Sequence, residues 1–241
     1  MNLKKENKNY ARIPNYFFYD EGSFLKAIGG RDSFVLYCLI TSRKGMNDKV
    51  YISIRQINEV IKISNNITYA RNKIMNYLEN LQEYNLISFE FDIDSINNND
   101  TMCIKWNDLF KDSNGWIAFY PDDFEIQHKI GNIPYCTMWM LRMYINNNTG
   151  TSYPSIRDIA KTLKCDIIKV QNSIDLFSKA ELFQIQRGNY YYNKSLERFI
   201  RMNNEYIYTG NIDKLLDMSD EEIFNILNKN INNHVNKKHS L

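Results

Sequence analysis

The chain is poor in the residues that carry most enzymatic chemistry. Its three histidines, His128, His234 and His239, are isolated or lie in the C-terminal tail. The pair of histidines bracketing an apolar residue, with which metal-dependent strand-nicking enzymes hold a metal beside a nucleophilic tyrosine, is therefore missing. None of the nine glycines belongs to a GxxxxGK loop, which excludes a P-loop ATPase. Asp92 and Asp94 share one strand face but lack a third ligand nearby, so a solvated surface fits them better than a metal pair. Asp122 and Asp123 follow Pro121 and read as a helix start, where acids suit the positive end of the dipole. His128, in EIQHKI, reads as an ordinary helix residue. No enzymatic activity, no metal and no cofactor is expected.

Other absences bound the class. No apolar run approaches the ~18 residues of a membrane span, and the charged opening MNLKKENKNYAR has no apolar core of a secretory signal behind it. The four cysteines, Cys38, Cys103, Cys136 and Cys165, stand 65, 33 and 29 residues apart, a spacing that fits neither a disulfide scaffold nor a metal clamp. Three of them sit in apolar stretches, as buried thiols in a reducing cytoplasm do. The expected protein is cytoplasmic and has no membrane partner.

What the chain does have is a folded composition, 44% hydrophobic and 14% aromatic, and an uneven charge. Net charge is +2, yet 1–12 and 229–241 each carry +3, which leaves the stretch between them at −4. A protein gripping nucleic acid with its whole surface would be basic throughout, so any such contact here is local. Taken alone, the two basic ends read as frayed, solubilising tails.

The most informative feature is self-similarity. Residues 51–57 read YISIRQI and 153–159 read YPSIRDI, five identities in seven positions at an offset of 102. Each is preceded by an apolar stretch and a polar loop with a glycine, and earlier by an aromatic-acidic segment, FFYDE or FYPDDFE. A period near 100 is too long for a solenoid and suits a duplicated domain. The polar KDSNG at 111–115 marks the expected boundary.

Within the first copy, the apolar spacing predicts a helix over 32–42, a short helix behind Ser53 (Ile54, Ile57, Val60, Ile61) and a longer one from Ile67 to Glu83 capped by Ser64–Asn66. LISFEFDI then alternates as a strand, and TMCIKW returns as its partner across Asn97–Asp100. The second copy repeats the order: Ser155 heads a short helix, Cys165–Asp166 turn, and Ile167–Lys179 is helical. Strands at 182–186 and 190–193 flank Arg187-Gly188-Asn189, read as a tight hairpin turn with Gly188 at positive φ, so this second wing is the shorter. Beyond it, Leu196, Phe199 and Ile200 are spaced as in a helix over 194–203, and Ser219 with Glu222 forms a capping box for a last amphipathic helix.

Helix, short helix, turn, helix and two-stranded hairpin is the order of a winged helix-turn-helix. In that motif the second helix of the pair presents a face to the major groove, where its N-terminal side chains meet base edges. The outward positions are Thr68, Tyr69, Arg71, Asn72, Lys73 and Asn76 in the first copy and Lys169, Gln171, Asn172 and Ser173 in the second. Arginine bridges the two acceptors of guanine and asparagine pairs with adenine. Phosphate contacts are expected from Arg43, Lys44, Lys49, Arg55 and Lys62, and from Arg157, Lys161, Lys164 and Arg187.

The segments RIPNYFFYDE, SFLKAIGGRDSFVLYCLI and KVYISIRQINEVIKISNNITYARNKIMNYLENL resemble the N-terminal winged-helix region of replication initiators of plasmids and phages of low-GC Gram-positive bacteria, the DnaD-like and RepA_N-like groups. The resemblance covers about 90 residues and is one of pattern, without a catalytic signature. It implies binding to repeated origin sites and help in loading the replication machinery. The second copy departs from those relatives, which carry a shorter, different C-terminal domain; a layout of two winged helices is reminiscent of another initiator class.

The expected fold is thus α+β, mainly α: a winged helix-turn-helix domain over 1–112 with a basic N-terminal arm, a second over 113–200, and a helical extension with a basic tail over 201–241. The expected function is sequence-specific recognition of double-stranded DNA by a plasmid or phage replication initiator. The expected partners are that DNA, a second copy in a homodimer, and the replication or transcription machinery. A transcriptional regulator of a mobile element is the alternative, and a winged-helix scaffold that binds protein is the alternative from another class.

Overall fold

The computed structural model describes residues 10–45, 47–107, 115–146 and 149–229. Residues 1–9 and 230–241 of the two basic ends, and 111–114 of the expected boundary at 111–115, lie outside the described residues. Over the described residues the protein is α+β with about 51% helix and small sheets. Among the described residues no helix is long and apolar enough to cross a membrane. Its contacts divide it into two compact units, Met1–Asn132 and Ile133–Leu241. The expected boundary at 112/113 falls before a segment, Trp116–Ile130, that packs in the first unit.

The first unit opens with β1 (Ala11–Pro14), a 3-10 turn (Asn15–Phe17) and α1 (Tyr19–Ala27). Then come α2 (Arg31–Arg43), β2 (Lys49–Ile52), α3 (Ile54–Ile61), α4 (Ile67–Glu83), β3 (Ile87–Ser88) and β4 (Met102–Trp106). β5 (Trp116–Phe119), a second 3-10 turn (Pro121–Phe124) and α5 (Glu125–Ile130) complete it. β5 pairs antiparallel with β1, from Ala11 opposite Phe119 to Pro14 opposite Trp116.

The second unit begins near the start of α6 (Asn132–Met143). It continues with β6 (Thr151–Ser152), α7 (Ile156–Leu163), α8 (Ile167–Lys179), β7 (Phe183–Gln186), β8 (Tyr190–Asn193), β9 (Arg198–Arg201) and β10 (Glu205–Tyr208). α9 (Ile212–Asp217) and α10 (Asp220–Leu227) end the described chain.

One element order occurs twice, and so does one sheet order. In the first unit β2, the strand before the short helix, pairs with β4, which pairs in turn with β3, giving the order β2-β4-β3. In the second the corresponding order is β6-β10-β7. α3 and α7 are both eight residues long, and their starts stand 102 residues apart. Each follows a serine N-cap: Ser53 Oγ accepts from Gln56 N at 3.2 Å while Gln56 Oε1 accepts from Ser53 N at 2.9 Å, and Ser155 Oγ accepts from Asp158 N at 3.1 Å. Each ends on a lysine in the left-handed region, Lys62 at φ 57° and Lys164 at φ 48°. α4 and α8 begin behind Asn66 and Asp166, whose side chains accept from Tyr69 N and Ile168 N.

The core of the first unit gathers on α2, which is buried continuously from Ser33 to Thr41 and not on one stripe alone. Phe17 and Phe18 meet Phe34 at 5.2 and 4.9 Å between ring centroids, and Phe17 lies 5.4 Å from Tyr37. β4 is locked to this cluster by Trp106, whose indole N–H donates to the buried Tyr37 hydroxyl at 3.1 Å. Thr41 satisfies its hydroxyl by donating to the Tyr37 carbonyl one turn back.

Three expectations about the wings are overturned. LISFEFDI is strand only at Ile87–Ser88; residues 89–101 form a folded loop, with Phe89 and Phe91 stacked at 4.4 Å. The 194–203 segment is a turn followed by strand β9, so its apolar spacing is not helical. β7 and β8 are not partners across a tight turn, and Gly188 is absent from the glycines with positive φ. β7 pairs with β10 and β8 with β9, and both pairs keep one register, Gln186 opposite Glu205 and Tyr190 opposite Arg201. The segment expected to be the second wing is therefore one long two-stranded ribbon, interrupted at 187–189 and 202–204, and it reaches past the residue-200 boundary to Tyr208. Seven residues per strand extend it about 23 Å past the three-stranded sheet, at the ordinary strand rise.

Candidate nucleic-acid interface

The outer face of α4 starts at its N-terminus. Thr68, Tyr69, Asn72, Lys73 and Asn76 are all exposed, and no acid lies among them. The opposite face carries the buried Ala70, Ile74, Tyr77, Leu78 and Leu81, so packing alone fixes which side faces solvent. The Lys73 ammonium sits 5.7 Å from the Tyr69 ring centroid, joining a ring and a cation on the exposed surface.

Arg71 has a different role from the one its spacing implied. It is half-buried, and its guanidinium donates to the carbonyls of Ile93, Asp94 and Ile96 at 3.1, 3.3 and 3.0 Å. Arg71 is thus a clamp between α4 and the wing loop, and not a free reader of guanine. The loop is further held where Arg55 N donates to the Asn98 carbonyl and where Asn97 bonds Asp100. It carries Glu90, Asp92, Asp94 and Asp100 and no base, so phosphate would not be gripped on that side.

Among the expected phosphate contacts, Lys44 is also committed elsewhere: its ammonium lies 3.4 Å from Asp48 and 4.0 Å from the Trp106 ring centroid. Arg43, Lys49, Arg55 and Lys62 are exposed. Arg43 and Lys62 act together on one point, because both lower the pKa of His128 on α5, after the larger effect of its burial. His128 is thereby held below the ordinary imidazole value, and Glu125 opposes the shift. α5 thus marks a locally positive surface at the end of α3.

Lys62 sits where a glycine would be cheaper, since a side chain in the left-handed region costs roughly 1–2 kcal/mol. Lys62→Gly should therefore leave the melting temperature unchanged or slightly raised, because relief of strain offsets glycine's extra chain entropy. The same change removes a cation, so the His128 titration followed by NMR should move up toward the ordinary value. A fall in melting temperature, or an unmoved His128, would count against this reading of the position.

The second copy is arranged differently. Lys169 and Gln171 of α8 are exposed, as are Arg157, Lys161, Lys164 and Arg187. Asn172 and Ser173, both expected to face outward, are fully buried; the Asn172 amide donates to the Leu227 carbonyl at 2.8 Å and the Ser173 hydroxyl to the Lys169 carbonyl one turn back. α10 lies on this face of α8, with Glu222 paired to Lys179 and Asp220 and Glu221 beside it in the first turn. The capping box at Ser219 announces α10 in the sequence, but its docking on α8 has no local signal. Among the described residues no group of three or more His, Cys, Asp or Glu side chains is placed to hold a metal. Comparison with family models, with curated proteins and with solved structures finds no match for this chain.

Proposed function

We propose that the protein is a sequence-specific double-stranded DNA-binding protein built on two winged helix-turn-helix units, serving replication initiation on a mobile element. The carrying observation is the twice-used sheet order, β2-β4-β3 and β6-β10-β7, around a capped short helix and a following longer helix. That order is the one a winged helix-turn-helix has, and α4 offers it an acid-free exposed N-terminal face.

In this reading Thr68, Tyr69, Asn72, Lys73 and Asn76 meet base edges, with Asn72 or Asn76 pairing an adenine. Arg43 and Lys62 meet phosphate, and Arg71 positions the wing loop without touching a base. The second copy contributes less through α8, whose Asn172 is covered and whose neighbour α10 is acidic. The same physics would serve a transcriptional regulator of a mobile element. The acidic loop over 89–101 favours a second reading, a scaffold that docks a basic protein segment.

Titration of random-sequence duplex at increasing salt separates the two classes. Released counterions give a binding slope of about −0.9 per phosphate contacted, so affinity should fall steeply as salt rises. Absence of duplex binding at low salt would remove the DNA reading. Selection of bound duplexes from a random pool then supplies the site.

A further inference from the structure

We infer that the far end of the second wing binds single-stranded nucleic acid by stacking unpaired bases on its aromatic face. The alternation of the β8–β9 ribbon puts Tyr190, Tyr192 and Phe199 on one side, since Tyr192 and Phe199 are direct cross-strand partners. They are 68%, 51% and 70% exposed, and the Tyr192 and Phe199 rings lie 5.3 Å apart. The other side of the ribbon, with Tyr191 and Ile200, borders an open cleft of about 730 Å³.

These rings lie beyond the three-stranded sheet and cover no core, so their burial contributes nothing to the fold. A contiguous exposed patch of this kind marks a binding surface. Its occupant is indicated by two features. The face offers flat rings, with no aliphatic residue between them, which matches the π-face that every base presents. The segment 187–201 that builds this end of the ribbon carries Arg187, Lys194, Arg198 and Arg201 against the single acid Glu197, a net positive charge complementary to a phosphate backbone. A duplex offers no free base faces to such rings, so the strand must be unpaired. The inference is independent of α4.

The experiment uses the full chain and a fluorescently labelled oligothymidylate at low salt, read by anisotropy. The wild-type chain should bind, and Tyr190→Ser, Tyr192→Ser and Phe199→Ser should each weaken binding roughly tenfold. Tyr190→Phe and Tyr192→Phe should bind as the wild type, because stacking needs the ring and not the hydroxyl. Phe199→Leu keeps apolar bulk but loses the π-face, so it should fall as far as Phe199→Ser. Failure of the wild-type chain to bind, a triple serine variant that binds as well, or full rescue by Phe199→Leu would each overturn the inference; the last would mark a protein-docking patch instead. Duplex titrations of Asn72 variants report on α4 alone, so the two readings can fail separately.

Discussion

Arg71→Ala should loosen the wing loop and weaken duplex binding equally for all sequences, while its neighbour Asn72→Ala should relax preference at one base pair. The difference follows from where the two side chains go. Arg71 donates to three loop carbonyls, and bonds to a charged donor contribute about 1.5–3 kcal/mol. Its site is half-buried, so the loss should fall near the low end of that range. Hydrogen exchange should quicken around Asp92–Asp100, where the loop is pinned. Asn72 is exposed and touches nothing that holds the fold, so its removal should leave the melting temperature unchanged. Its cost is one bidentate base contact, about 1–3 kcal/mol of discrimination. If the two variants behave alike in stability and in sequence preference, the division of labour on α4 is wrong.

Gly188→Ala should be the more damaging change in the second unit. A Cβ at that position would stand 2.1 Å from the Met202 carbonyl oxygen and 2.5 Å from that of Asn203. Both are backbone atoms that no side-chain rotation relieves, so the facing strand must shift. Overpacking of this severity costs about 1–3 kcal/mol. The bond from Met202 N to the Asn189 carbonyl, 2.9 Å long, lies beside the clash and should exchange faster. Gly45→Ala is the control, because its Cβ would meet Lys49 O at an ordinary 3.6 Å. Equal melting temperatures for the two variants would contradict the close approach at Gly188.

The helices were legible because their signals are local. Ser53 and Ser155 cap where they were expected to, and Ile67–Glu83 and Ile167–Lys179 are helical over the ranges that apolar spacing predicts. The wings were not, because their outcome rests on contacts distant in sequence. Alternation in LISFEFDI reads as a strand, yet Arg71, at least 22 residues away, draws the Ile93–Ile96 carbonyls to α4. Leu196, Phe199 and Ile200 have helical spacing by coincidence; Phe199 and Ile200 are fixed as strand by pairing with Tyr192 and Tyr191. Gly188 is required for a reason other than the expected turn, since it admits a facing backbone and does not turn the chain. Asn172 looked outward on its own helix and is covered by α10, 55 residues later to the bonded carbonyl.

The pairing of β1 with β5 decides where this gene can be cut. A fragment ending at residue 112, the divide that the repeat implies, would keep β1 and discard its only ladder partner among the described residues. The bared edge from Ala11 to Pro14, with Ile13 beneath it, is a template for self-association. Ending at Asn132 instead retains that partner, so the longer fragment should stay monodisperse where the shorter one precipitates.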